Sequence, residues 1–381
     1  MRHARTLILI IGFVLLVQLA QAQWSPAKRL TWTSGWSEWP VLAVDSAGGL
    51  HALWTDNTSG HYEVYYRKST DWGSSWNATR RLTWAAAFFV SVAVAVDTAD
   101  NIHIVWTDLP PGTGEIYYKK STNGGTTWTA NKRLTWTSGA SEDPSITVDS
   151  LGNIHVVWED ATPGDYQIYY KKSTDGGVSW TANQRVSWTQ DASSQPVIVS
   201  HWSGWLCVFW VENSTAGNEI YFKTGTIGGP GWSASRKVTW TSGSSSSPAV
   251  SADFSGNLHL VWSDDTPGNV EVYYRKSTDG GANWAPGQRL TWTSGSSDNP
   301  AIAVFSSGNP LVVWDDDASG KEEIYCRGSW DGGTGWGASQ RLTWNAGYSM
   351  GPAVALDAGN VYLVWWDDTP GNFEIFYKKG D

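Results

Sequence analysis

The chain has 381 residues and a formal net charge of −10, from 26 Lys and Arg against 36 Asp and Glu. That acidity argues against nucleic acid as a main partner. Only two cysteines occur, Cys207 and Cys326, in non-neighbouring repeats and inside strand patterns, so they read as buried free thiols. A disulfide framework is excluded, and 28 tryptophans are available to build the core instead.

In chain order, the first element is an export signal. Arg2 and Arg5 supply positive charge, Leu7 to Leu19 form an apolar run, and Ala20-Gln21-Ala22 is a small-x-small cleavage site. The expectation is a cleaved signal peptide at 1–22 and a mature chain at 23–381, secreted or periplasmic. Loss of Arg2 and Arg5 takes the net charge from −10 to −12. The apolar run is short for a bilayer and no second one follows, so no membrane span is expected.

From Arg29 onward the chain repeats. The tetrapeptide Arg-Leu-Thr-Trp, or a close variant, begins at Arg29, Arg81, Arg133, Arg185, Lys237, Arg289 and Arg341, always 52 residues apart. A period near 50 residues, with four short strands per unit, is the pattern of propeller blades. In the third repeat Pro144 to Asp149 alternates apolar and polar and predicts the innermost strand. Gly152-Asn153 turns into a second strand, Ile154 to Trp158, and Pro163-Gly164-Asp165 into a third, Gln167 to Lys172. The outer strand is predicted to end at Arg185-Val186-Ser187-Trp188. No segment of the mature chain has helical periodicity.

The last repeat stops at Asp381, before any outer strand, while Trp24 to Arg29 matches Trp180 to Arg185 in spacing. The N-terminal strand is therefore expected to complete the last blade and remove the open sheet edges. The fold class predicted is all-β, a single seven-bladed β-propeller of four-stranded antiparallel blades.

Ahead of each outer strand runs Ser-x-Asp-x-Gly-x-x-Trp, intact at Ser69–Trp76, Ser173–Trp180, Ser277–Trp284 and Ser329–Trp336. Asn123 replaces the Asp in one further copy and Ile227 in another. This pattern resembles the Asp-box, or bacterial neuraminidase repeat, of the sialidase superfamily. The resemblance covers nearly the whole mature chain and implies an Asp-box propeller in which the box is structural. Working sialidases of that family carry three central arginines, a Tyr–Glu pair, an Asp acid/base and an Arg-Ile-Pro segment. Here Arg-Ile-Pro is absent, and the mature arginines stand by the outer strands or at the ends of the third strands. No residue is carried over as catalytic.

On the opposite loop face every repeat places an acid two residues after a tryptophan, and all but the third place a second acid further on. One column runs Asp56, Asp108, Asp160, Glu212, Asp264, Asp316 and Asp367. The other runs Glu63, Glu115, Gln167, Glu219, Glu271, Glu323 and Glu374. A carboxylate needed in every blade reads as a cap for loop amides. The runs Asp264-Asp265, Asp315-Asp316-Asp317 and Asp367-Asp368 lack the alternating spacing of a calcium loop. No metal site and no cofactor are expected, calcium being the one alternative they leave open. His51, His103, His155 and His259 share one strand column in four blades and read as hydrogen-bonded core histidines.

Three tryptophan columns, those of Trp32, Trp54 and Trp76 with Trp24, read as blade core. Tryptophans outside the period carry more information. Trp36 and Trp39 follow the closing strand, and Trp366 lies on the same face of blade seven, so they are predicted neighbours at the closure point. With Tyr348, Phe373, Asp367 and Asp368 they form the candidate ligand site, an exposed aromatic patch beside carboxylates, with Met350 and Glu38 nearby. Such a patch suits a sugar, whose C–H face stacks on a ring while acids take its hydroxyls, or a protein partner. Few unique central residues are found, which disfavours an enzyme. The reading is a secreted, non-catalytic binding propeller, lectin-like on the loop face. The alternatives are a sialidase-like glycoside hydrolase with divergent residues and a structural or protein-docking scaffold. Oligomeric state stays open.

Overall fold

The computed structural model describes residues 23–84, 91–109, 112–227, 231–357 and 359–381. The expected export segment, 1–22, lies outside the described residues. The chain forms seven four-stranded antiparallel sheets arranged in a ring, a seven-bladed β-propeller. Blade one runs Ser37–Val44, Leu50–Asp56, Glu63–Ser69 and Arg80–Arg81 from the axis outward. Blade seven takes Ser349–Leu356, Val361–Asp367 and Glu374–Gly380 from the C-terminus and Lys28–Arg29 from the N-terminus. Lys28 pairs with Tyr377 and Arg29 with Phe376, so the predicted closure holds. The outer strands are shorter than expected: Gln184–Arg185 has 2 residues, and only the Val186 amide makes a further close bond, 2.7 Å to the Ile168 carbonyl, before the chain turns away.

Burial follows from the ring. Leu50–Asp56 and its counterparts in other blades are buried at every residue, because a neighbouring blade covers each face. Apolar clusters lie between blades rather than within them: Leu53, Val64 and Tyr66 of blade one pack on Ile102, Ile104 and Trp106 of blade two. Trp54 and Leu50 close the ring against Tyr362, Val364 and Ile375. Among the described residues no helix is long and apolar enough to cross a membrane.

The Ser-x-Asp-x-Gly-x-x-Trp turns are hydrogen-bonded hairpins that also join blades. Ser69 Oγ donates to Asp71 Oδ1 at 2.8 Å and accepts from Gly73 N at 2.8 Å, and Ser75 N donates to Asp71 Oδ1 at 2.8 Å. Gly73 has φ 80°, and a Cβ there would fall 2.1 Å from the hydroxyl of Tyr377 in the preceding blade. Gly125 receives Tyr66, and Gly333 receives Tyr274, in the same way. The same tyrosines reach back into their own blades: His51 Nδ1 lies 2.9 Å from the Tyr66 hydroxyl while its Nε2 lies 3.1 Å from Asp45. His103, His155 and His259 repeat this pair of contacts, so the histidine column is hydrogen-bonded core, as expected. Burial pushes His51 and His259 down to about 4 and keeps them neutral. Cys207 and Cys326 are buried free thiols pushed up to about 12 by burial.

The glycine that admits a neighbour's tyrosine should tolerate no side chain. Gly333→Ala is expected to cost roughly 2–4 kcal/mol, since it combines a left-handed φ with a backbone-to-ring clash. Gly60→Ala, at φ 92° with nothing within 4 Å, carries only the conformational part, about 1 kcal/mol. Urea unfolding of the two variants measures the difference, and equal losses would refute the latch.

Candidate ligand-binding site at the mouth of the axis

The structure brings together most of the aromatic residues expected at the closure point. Trp36 packs edge-on against Phe373 with ring centres 5.9 Å apart, and Trp39 leans on Trp366 at 5.4 Å. Trp366 and Phe373 are themselves 4.4 Å apart. Exposure divides the set: Trp36 is 50% exposed, Trp39 45% and Tyr348 39%, whereas Trp366 is 6% exposed and forms the floor. The expected open patch thus has only Trp36, Trp39 and Tyr348 facing solvent.

Asp367 is also interior. Its Oδ2 accepts from Ser349 Oγ at 2.7 Å and its Oδ1 from Thr369 N at 2.9 Å. Asp368 accepts from Tyr348 N at 2.7 Å, and Tyr348 carries the Lys321 ammonium 4.9 Å from its ring centre. Both repeating acid columns do the same work. Asp56 accepts from Ser37 Oγ and Thr58 N, and Glu374 from Arg29 Nη2 and Thr33 N, at 2.6–2.8 Å. These carboxylates cap loop amides, the role their recurrence suggested.

A second set of residues, which the sequence reading missed, surrounds the axis. In six blades the innermost strand shifts register across one residue and the proline after it, as at Trp39-Pro40 between Glu38 and Val41. The bulged residue turns to φ 47–53° at Trp39, Asp143, Gln195, Ser247, Asn299 and Gly351. These six, with Ser91, are spaced 52 residues apart and line an open cavity of about 510 Å³ at the mouth of the axial channel. Their chemistry is as varied as their backbone is uniform. Gln195 Oε1 accepts from Ser247 N at 2.8 Å, linking adjacent members. The signal was present in the sequence as one column that holds six residue types in seven blades beside a nearly constant proline.

Behind this ring stand carboxyls. Glu159 and Asp315 occupy the column in which blade one has Thr55 and blade seven Trp366, and both are buried. Burial, and then the charge of Asp143, raises Glu159 to about 7, although Gln195 N donates to it at 3.0 Å. Asp315 is likewise raised to about 7 by burial, against hydrogen bonds from Gly351 N at 2.8 Å and Asn299 Nδ2 at 3.1 Å. Asp143 is raised by burial, with Glu142 beside it, and Tyr166 donates its hydroxyl to Glu142 at 2.7 Å. Among the described residues no Lys or Arg lines the mouth. Nor do any three His, Cys, Asp or Glu side chains among them converge as metal ligands.

No family model matches the chain, and no curated protein matches it. Among solved structures it is similar to an ulvan lyase bound to -[GlcA(1-4)Rha3S]-, at 11% identity and TM-score 0.66 over 92% of this chain and 95% of that one. An α-L-arabinanase of Penicillium chrysogenum complexed with arabinobiose matches at 17% identity and TM-score 0.54, over 77% of this chain and 93% of that one. A Hadza microbial sialidase matches at 14% identity and TM-score 0.54, over 90% of this chain and 65% of that one. These likenesses show the propeller fold.

Asp315 gives a pH test of the mouth. Its folded value, about 7, lies above the ordinary 3.8, so its contribution to stability is full below the lower value and lost as pH rises through the higher one. Asp315→Asn removes that dependence. Its advantage over the native chain should grow from pH 4 to pH 7 and level off at on the order of 4 kcal/mol. Urea melts across that range check it, and a pH-independent difference would show an Asp that is not desolvated.

Proposed function

We propose that this chain is an exported, lectin-like propeller of the Asp-box class that binds glycan without cleaving it. Its site is the loop face at the mouth of the axis. The observation that carries this reading is Trp39, nearly half exposed at the rim of a cavity where prolines and valines alternate with the polar groups of Ser91, Asp143, Gln195, Ser247 and Asn299. An indole takes the C–H face of a sugar ring, and groups such as Gln195, Ser247 and Asn299 take its hydroxyls. Trp36 and Tyr348 extend the aromatic surface outward, over a floor of Trp366 and Phe373 that Asp367 and Asp368 hold in shape. Acids without a lining cation favour neutral or amino-substituted sugars over anionic ones. The names of the structural neighbours support a carbohydrate ligand. Export rests on the segment at 1–22.

The test is glycan-array binding of residues 23–381, followed by titration of the bound sugar against Trp39→Ala. Loss of a stacking platform is expected to weaken binding about 10- to 100-fold while leaving thermal unfolding unchanged. An array that stays blank would move the mouth to a protein ligand.

One observation favours a second reading, a glycoside hydrolase. A carboxyl held near 7, such as Glu159 beside Asp143, is suited to donate a proton to a leaving group. Under that reading the intact chain releases aglycone from chromogenic glycosides, and Glu159→Gln lowers kcat by about 100-fold or more. Absence of turnover across a panel of glycosides retires it.

A further inference from the structure

A second set of aromatic rings lies away from the axis. The tryptophans of the Arg-Leu-Thr-Trp segments, from Trp32 to Trp344 at 52-residue intervals, are 63–71% exposed, not blade core as expected. An indole carries about 150–250 Å² of surface, and this chain leaves most of it in water once per blade.

Trp136 shows the unit. Arg133, from its own outer strand, sits 5.6 Å from the ring centre, and the ammonium of Lys171 in the next blade sits 5.9 Å from it. Lys171 is buried and donates to the Leu134 carbonyl, so it holds the inner side of the indole while the outer side stays open. Arg133 donates to Glu115, which is buried, whereas the arginine side chain is 31% exposed. A visiting molecule therefore meets the ring and the cation, not the acid. Blade three differs, because Gln167 stands where the other blades have glutamate. Arg185 makes none of the ion pairs found among the described residues, and it lies 4.5 Å from the Trp188 ring centre.

We infer that this rim is a binding surface for a polymer of acidic sugars. Each tryptophan takes one sugar ring, and the adjacent guanidinium takes its carboxylate or sulfate. Two features choose that occupant. Each platform is a single ring, far smaller than the roughly 800 Å² per partner of a stable protein interface, so the ligand must engage rings one at a time. The exposed charge beside each ring is positive on a chain whose net charge is −10, so attraction is local and not a property of the whole surface. Repetition then converts weak single contacts into avidity. The inference is independent of the site at the axis.

Surface plasmon resonance of the mature chain on polygalacturonate, dextran sulfate and neutral dextran tests it, the first two separating carboxylate from sulfate. Binding to an acidic polymer but not to dextran is expected. Trp136→Ala/Trp188→Ala/Trp240→Ala should weaken it by about tenfold or more through lost avidity. Arg185→Gln should weaken it and flatten its salt dependence, and Trp39→Ala should leave it intact. Equal binding to dextran, or unchanged affinity in the triple variant, overturns the inference. Loss of polymer binding on Trp39→Ala alone also overturns it, while leaving the axial reading standing. If the triple variant fails to fold, Arg185→Gln and Trp188→Phe carry the test.

Discussion

No blade of this chain can bury its own faces. The second strands are apolar on both sides, and they are dry only because a neighbour lies against each. The interaction that makes neighbours fit is, at five of the junctions among the described residues, an aromatic side chain that lies on the glycine of the next hairpin, while blade six has Cys326 in that column. Tyr66 shows how much depends on it. Its ring meets Trp128 of blade two edge-on at 5.3 Å, its hydroxyl reaches Gly125, and its own blade ties it to His51 and so to Asp45. A shift in one blade is thereby felt by its own turn and by the next. The same constraint explains the chain ends. Tyr377 meets Gly73 only if blade seven is complete, and blade seven is complete only with Lys28–Arg29 in place.

The architecture was legible because contacts that serve most or all blades recur at a fixed interval. The period, the closing strand, the caps and the core histidines all follow from that recurrence. The tryptophans at Trp32 and its mates were misread for a related reason. Alternation continued from Leu30 would bury Trp32, but pairing ends at Arg29. The Leu30 and Ile375 backbones make one further bond, and the chain then turns toward the next blade with the indole left outside. Recurrence marked a position every blade requires, and burial was only one of the possible requirements.

The site was legible in part. Closure logic placed Trp36, Trp39, Trp366 and Phe373 together, yet it could not say which ring would be floor and which would be surface. Trp366 went inward because it occupies the column that holds Glu159 and Asp315 in other blades, a position behind the bulge. Glu159 escaped notice, and Asp315 was read only as part of an acidic run, because both sit inside otherwise regular strands, where an acid resembles any polar residue of an alternating pattern. Only the bulge makes them central. In six blades it adds a residue to the innermost strand and turns it to positive φ, and those six positions together with Ser91 face one opening.

The result is a molecule with its charges sorted by radius. Carboxyls without cations stand at the axis, and exposed cations above buried carboxylates stand at the rim. Neither arrangement is needed to close the ring, since Thr55 and Trp366 serve in the column where Glu159 and Asp315 stand. The axial acids also carry a cost in stability, because burial holds them near neutrality where an apolar residue would sit without penalty. Each is tied to the bulge itself, Glu159 to the amide of Gln195 and Asp315 to the amide of Gly351. Ionisation of either group strengthens a bond to the backbone that shapes the mouth and adds negative charge behind it. Shape and charge at the axis are therefore coupled through the same two protons. A ligand that brings an ammonium group would meet a mouth that grows more negative as pH rises through neutrality, at a cost in stability to the fold.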